Sequence, residues 1–459
     1  MHASLPFFTS GGNLRMMTIR KYWFWGLLFT VNSVVLAQPK WEQLDNAPVV
    51  GRHNDVHFVN PDLGWIGNGD GEIYRTTDGG DSWERQFVKT NAHFRSVGFF
   101  DEQNGWAGSV GFGEFGTTDR TILYQTSDGG ETWSPYDTFL GPKPGGVCGM
   151  QVVNDSTICA VGRVRGPAFF MRTTNRGRTW KTLDLGALAA GLIDVHFTHP
   201  DTGIVVGLTN VVHEQSSGII LSTTNGGETW EQSFISSRVA EWCWKISFPT
   251  RNDGFISLQR NGETPIYFLK TSDGGATWEE KLFSESYYFV QGIGFSTPQN
   301  GWIGGNSSFP TFFTTDGGDT WQSAGFGSRI NRIRFLNDSL GYAVGRSVYK
   351  FSSGTPVSVA ENAGEPPASF KLYQNYPNPF NPATTISYDL PEAANVRLTV
   401  TDIRGRLISS LVNEAQGAGR HSVRWLGEDD KGLRVDSGVY FYTIQTANFS
   451  RTRKMIILK

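Results

Sequence analysis

The sequence predicts an all-β protein: a seven-bladed β-propeller closed by its N-terminal strand, followed by a small immunoglobulin-like β-sandwich. Two repeating patterns and one compositional bias carry that reading. A short box ending in Trp recurs six times, and an alternating apolar pattern precedes each copy. Glycine is abundant at 55 residues while only 18% of the 459 residues are charged, which suits many short strands joined by tight turns. Recurrence at this spacing marks units that bury their apolar faces only against neighbouring copies.

The N-terminus comes first in chain order. Arg20-Lys21 supply positive charge, Tyr22 to Leu36 are largely apolar, and Val35-Leu36-Ala37 precede a cleavage position before Gln38. Residues 1–37 therefore read as a signal peptide; residues 1–15 add nothing to it, which leaves Met16 or Met17 open as the start. The apolar stretch falls short of the ~20 residues a membrane span needs, so no transmembrane segment is expected. No Cys follows the cleavage position, so no lipid anchor is expected either.

Residues 38–351 read as the propeller. Its boxes are Thr76-Thr77-Asp78-Gly79-Gly80-Asp81-Ser82-Trp83, then 126–133, 173–180, 223–230, 271–278 and 314–321. Their centres are Asp78, Asp128, Asn175, Asn225, Asp273 and Asp316, and their closing residues are Trp83, Trp133, Trp180, Trp230, Trp278 and Trp321. A central Asp or Asn can accept hydrogen bonds from following backbone N–H groups, and the Gly two residues on supplies a positive φ. The Trp then buries ~150–250 Å² and anchors the hairpin within its blade. Six equivalent copies argue for a structural part rather than a catalytic one.

Upstream of each box stand two apolar residues at i and i+2, a turn, and Gly-aromatic-aliphatic-x-Gly, as in Val56-His57-Phe58 with Gly64-Trp65-Ile66-Gly67. Each unit thus yields four strands, here called a to d, with the box between c and d. A seventh upstream half, Ile333-Arg334-Phe335 with Gly341-Tyr342-Ala343-Val344-Gly345, has strand c at 347–351 but no box. Trp41-Glu42-Gln43 matches Trp230-Glu231-Gln232 and supplies the missing outer strand, next to the strand near Tyr349. That closure removes free sheet edges.

Residues 352–369, with Pro356, Pro366 and Pro367, read as a linker. From Phe370 the chain turns to short alternating strands at 385–390, 396–401, 406–412, 421–425, 439–446 and 453–458, and residues 370–459 form a sandwich.

The boxes resemble the Asp-box, or BNR, repeats of sialidases, sortilin and photosystem II stability factor-like propellers, the last group being the most similar in style. The tail resembles the C-terminal sorting domain of type IX secretion substrates, itself similar to the immunoglobulin-like domain of flagellar hook assembly proteins. Its matching positions include Tyr376-Pro377-Asn378-Pro379-Phe380, Asp402-Ile403-Arg404-Gly405-Arg406, Trp425, Gly438-Val439-Tyr440 and Lys454. That resemblance implies a diderm bacterium, Sec export, then passage over the outer membrane by the type IX machinery acting on 370–459, with the protein secreted or held at the surface.

Function is less legible. The expectation is a non-catalytic binding or interaction module without cofactor or metal. The alternatives are an exo-acting, sialidase-like glycosidase and an assembly factor for another exported protein. A sialidase-like site needs three Arg, a Glu-activated Tyr and an acidic Asp; Glu285 with Tyr287-Tyr288 is a fragment of this, and an Arg-Ile-Pro-like segment is missing. Xyloglucanase-like relatives use two propellers, and one is present. Strand order places the d–a and b–c loops on one rim and the boxes and a–b turns on the other. The loop-rich rim carries Phe112, Phe115, Tyr136, Phe139, Tyr287, Tyr288, Trp242 and Trp244, with Arg95, Arg163, Arg165, Arg329, Arg332 and Arg346, a set suited to a glycan or an anionic peptide. A net charge of −3 speaks against a nucleic-acid partner. Asn68-Gly69-Asp70-Gly71-Glu72 reads as a hairpin turn rather than a calcium loop, and His53, His57, His196, His199 and His213 lack zinc-ligand spacing. Cys148, Cys159 and Cys243 are too few and odd in number for a disulfide framework, and the Cys148–Cys159 pair is expected to stay reduced, because Gln151 rather than Cys148 faces Cys159.

Overall fold

The computed structural model describes residues 40–305, 310–353, 369–373, 375, 378, 380, 384–430 and 433–457. Residues 1–37, expected to be a signal peptide, most of the segment read as a linker, and Tyr376, Pro377 and Pro379 lie outside them.

Between Lys40 and Ser352 the strands form seven sheets whose a, b, c and d strands pair antiparallel, consecutive in the chain in all but the seventh. The a strands are His53–Phe58, Phe94–Phe99, Gly149–Asn154, Gly191–His199, Trp242–Ser247, Val290–Phe295 and Arg332–Asn337. Each a strand touches the next, and the seventh touches the first. The third sheet gains a fifth strand, Phe139–Leu140, parallel to Trp180–Asp184, from the loop the sequence left irregular. The outer strand of the seventh sheet is Lys40–Gln43, antiparallel to Val348–Ser352 with Trp41 opposite Phe351 and Gln43 opposite Tyr349. All three cysteines are free and buried, and Gln151 does pair with Cys159.

The boxes adopt one geometry. In the first, Thr76 Oγ1 donates to Asp78 Oδ1 (2.7 Å) and accepts from Gly80 N (2.8 Å), while Asp78 accepts from Ser82 N at 2.9 Å and Ser82 Oγ at 2.5 Å. Those bonds from Ser82 first, and the bond from Thr76, hold the Asp78 carboxyl down at about 2 against the lesser opposing effect of burial. The same bonds recur around Asp128, Asp273 and Asp316, and around Asn175 and Asn225 the backbone bond recurs while the amide Nδ2 donates to the Thr179 and Thr229 hydroxyls.

The closing Trp corrects the sequence reading: it packs against the preceding sheet rather than only within its own. Trp180 meets Trp106 of the second sheet at 5.2 Å, Trp230 meets Phe170 of the third at 4.9 Å, and Trp321 meets Phe268 of the fifth at 5.6 Å. Trp133 packs on Phe87, Trp278 joins the cluster containing Ile204 and Ile220, and Trp83 the cluster containing Tyr342 and Val344. Trp41 fills the same seam between the sixth and seventh sheets, 5.7 Å from Trp302 and 4.9 Å from Phe326.

The Gly-aromatic signature has a steric cause. Gly301 lies opposite Phe295, and a Cβ on it would sit 2.3 Å from the ring. The ring laid over the glycine stacks on Phe255 of the preceding sheet at 3.5 Å, as Phe99 stacks on Trp65 and Phe58 on Tyr342. Glycine therefore makes room for the aromatic wedge at these seams.

The C-terminal part has two sheets, one of Lys371–Leu372, Thr384–Leu390 and Gly419–Trp425, the other of Leu407–Gln416, Ala394–Asp402, Gly438–Gln445 and Ser450–Ile457. They enclose a core that includes Ile386, Leu398, Trp425 and Tyr442. Asn378 Oδ1 accepts from Ile456 N at 2.8 Å, and Phe380 bridges to Ile457 and packs on Trp425. Gly438, Val439 and Tyr440 lie in a central strand, whose Phe441 is in register with exposed Lys454.

Trp41→Ala should cost ~3–5 kcal/mol, as for other buried Trp deletions, and Gly301→Ala ~1–3 kcal/mol through overpacking. Urea unfolding of both variants checks this; a loss near that of a surface substitution would count against the seam account.

Candidate functional site

The a strands bring charged side chains to the hub where the sheets converge. Arg332 of the seventh sheet binds Asp194 of the fourth through Nη1 (2.7 Å) and Nη2 (2.9 Å), and its Nε lies 3.0 Å from Asp55 of the first. Arg334 adds bonds of 3.1 and 3.2 Å to Asp55. Each carboxylate also accepts a backbone N–H from the sheet that follows its own, Val97 for Asp55 and Ile246 for Asp194. Burial alone would raise the Asp194 carboxyl, but Arg332 and Lys245 hold it far below the usual carboxylate range.

Around this pair a cavity of about 590 Å³ opens beside the a–b turns of the fifth, sixth and seventh sheets, with exposed Asn337 and Asp338 at its lip. His57 and His196 line it, each pushed down to about 4 by burial first and by Arg334 as well, so both are neutral near pH 7. This is the box-side mouth, whereas the sequence placed its candidate face on the opposite rim.

On that loop-rich rim the proposed residues divide. Arg165, Arg329, Arg346 and Tyr287 are exposed, and Arg163 is half-buried with its Nη1 on the Phe112 carbonyl at 2.7 Å. Arg95, Trp242, Trp244, Tyr288 and Arg332 are buried, which corrects their reading as exposed ligand contacts. Tyr288 packs on Phe283 and Phe312 with its hydroxyl on the Pro310 carbonyl, and among the described residues no hydrogen bond joins Glu285 to either tyrosine. Arg332 faces the other mouth altogether.

What the structure does assemble on the rim is a cationic group around Phe115. The Phe115 ring, 44% exposed, stacks on His93 at 4.9 Å and lies under both Arg95 (5.7 Å) and Arg165 (5.9 Å). Arg52, which the sequence reading missed, belongs to the same group. It donates to Asn54 Oδ1 (3.1 Å) and Gln291 Oε1 (2.8 Å), and burial, then repulsion from Arg95 and Arg329, pushes it down to about 9. His93 is likewise driven to about 3 by burial, Arg95 and Arg52. Among the described residues no carboxylate pairs with Arg52, Arg165, Arg329 or Arg346 in an ion pair. The only sequence signal for Arg52 is its place just before an a strand, on the rim side.

The Asn68–Glu72 segment is a b–c turn, with Asn68 Oδ1 accepting from Asp70 N and Glu72 N at 3.0 Å each. Among the described residues no group of three or more His, Cys, Asp or Glu is placed to hold a metal ion, and no helix is long and apolar enough to cross a membrane.

A family model for Photosynthesis system II assembly factor YCF48 matches residues 33–181 and 172–280, and one for the FlgD Ig-like domain matches 380–449. The chloroplastic photosystem II stability/assembly factor HCF136 of Oryza sativa subsp. japonica is 23% identical over 333 residues, covering 63% of this chain and 76% of that protein. A solved structure of YCF48 bound to D1 peptide is 19% identical with a TM-score of 0.50, covering 68% of this chain and 96% of its own. The GH74 xyloglucanase from Xanthomonas campestris is 11% identical with a TM-score of 0.50, covering 90% and 81% respectively. The likeness to these two structures is one of fold.

Asp194→Asn should cost ~3–5 kcal/mol, because it leaves Arg332 buried with one counter-charge fewer. The Asp194 value is depressed in the folded state, so its contribution is complete above the unfolded value near ~3.9 and fades as pH falls through the folded one. Urea unfolding from pH 7 to pH 3 should therefore show a flatter acid limb for the variant; an unchanged limb would remove Asp194 from this account.

Proposed function

Because the chain belongs to the family of Photosynthesis system II assembly factor YCF48, we propose that it is a non-catalytic binding module that takes an anionic segment of another protein on its loop-rich rim. We read its seven sheets as blades of one ring, closed where Lys40–Gln43 pairs with Val348–Ser352. The observation that carries the binding role is a cationic rim without a paired acid among the described residues: Arg165 lies over the exposed Phe115 ring, and Arg52 is repelled by Arg95 and Arg329. Guanidinium forks recognise carboxylates, and an adjacent exposed ring adds apolar area. A peptide is also the ligand in the solved YCF48 structure, which favours a protein partner over a glycan.

We further propose that residues 370–459 are a type IX sorting domain that brings the propeller to the outer surface of a diderm bacterium, or into the medium, after Sec export. What supports this is the match of an immunoglobulin-like family over 380–449 together with the Asn378, Phe380 and Gly438-Val439-Tyr440 pattern. On this reading the molecule has no glycosidase activity.

Fluorescence anisotropy with labelled acidic peptides tests the first part. The double reversal Arg165→Glu, Arg329→Glu should weaken binding about ten-fold, equivalent to ~1.4 kcal/mol, and added salt should weaken the wild type. Equal binding by both proteins would move the site off this rim. For the second part, deletion of 370–459 should leave the propeller in the periplasm; its normal release would refute the sorting role. Turnover of a fluorogenic glycoside panel, lost in Tyr287→Phe, would restore the enzyme reading.

A further inference from the structure

Two cations in the hub have no hydrogen-bond acceptor among the described residues. Arg95, from the a strand of the second sheet, is fully buried with Nε, Nη1 and Nη2 all unpartnered. Lys245, from the a strand of the fifth sheet, is fully buried with Nζ unpartnered. The two repel each other, and both feel Arg332. A buried ammonium or guanidinium costs several kcal/mol unless it is paired.

The neighbouring acids do not meet that need. Asp55 and Asp194 are engaged by Arg332 and Arg334. Glu114 lies within electrostatic reach of Cys148, but it makes no bond to either cation. Counting Arg95, Lys245, Arg332 and Arg334 against Asp55, Asp194 and Glu114 leaves the hub with one positive charge in excess. Cys148 is not the missing anion: burial pushes its thiol up, outweighing the pull of Arg95 and Lys245. Loss of the Lys245 proton would remove one charge, yet guanidinium keeps its own proton in proteins, so Arg95 would still lack an acceptor. The Arg95 guanidinium lies over the Trp244 ring at 5.2 Å and the Phe115 ring at 5.7 Å. Ring faces attract a cation but accept no conventional hydrogen bond from each N–H.

We propose that a small inorganic anion of the chloride class binds in the hub between the Arg95 guanidinium and the Lys245 ammonium. It supplies an acceptor shared by N–H groups of both cations, and it neutralises the excess charge where several sheets converge. The site shares Arg95 with the rim group around Phe115, but it uses the buried guanidinium together with Lys245, and it stands whether or not the peptide reading holds.

Crystals of the full chain grown in sodium bromide test this directly. An anomalous peak at the bromine edge touching both Arg95 and Lys245 is expected; its absence, or density there that water alone explains, overturns the proposal. In solution the melting temperature should rise with the logarithm of chloride concentration at constant ionic strength against gluconate. Lys245→Met should abolish that rise, whereas Arg165→Glu should keep it. A chloride-dependent rise that survives in Lys245→Met overturns the proposal, and the bromide map on the wild type decides the matter if that variant fails to fold.

Discussion

Every sheet between Lys40 and Ser352 has two faces to cover and no long helix to cover them with, so each must lie against its neighbours. The seams where they meet are the constraint on which everything else rests. A Phe from one a strand lies flat on an aromatic of the preceding b strand, over a glycine that has no side chain to obstruct it. The box Trp closes the same seam further out. Aromatic pairs of this geometry add to the burial of large apolar area, and the pattern repeats because each seam poses the same problem.

The boxes belong to that system. Their internal bonds fix a tight turn, and the turn offers a glycine carbonyl to the preceding sheet: Gly79 accepts from Tyr342 and Lys350, Gly129 from Trp65, and Gly317 from Lys270. A turn that is docked at both its Trp and its carbonyl positions one sheet against the next. This leaves the opposite rim, where the a strands begin, free to vary in loop length and to gather the Arg52, Arg165 and Arg329 group.

The hub follows from the seams. Where the a strands converge, side chains from non-adjacent sheets meet, and polar ones such as Asp55, Asp194 and Arg332 meet largely buried. Arg332 there joins the first, fourth and seventh sheets through Asp55 and Asp194, an arrangement in which geometry must be good because the desolvation penalty is high.

How much of this was legible beforehand depends on the range of the interaction. Box, strand and turn positions were readable in the sequence alone, since Thr76 to Trp83 and Val56 to Gly67 act through neighbours a few residues away, and Trp41 could be matched to a missing strand by comparison with Trp230. The same local logic marked the C-terminal strands and placed Gln151 opposite Cys159. Only the tertiary structure decided that the box Trp faces the preceding sheet, that Arg95, Trp242, Trp244, Tyr288 and Arg332 are buried, and that Arg52 joins the rim. Burial of an a-strand residue depends on which sheets face it across the hub, and residues as far apart as Asp55, Asp194 and Arg332 leave no periodic trace of their pairing in the chain.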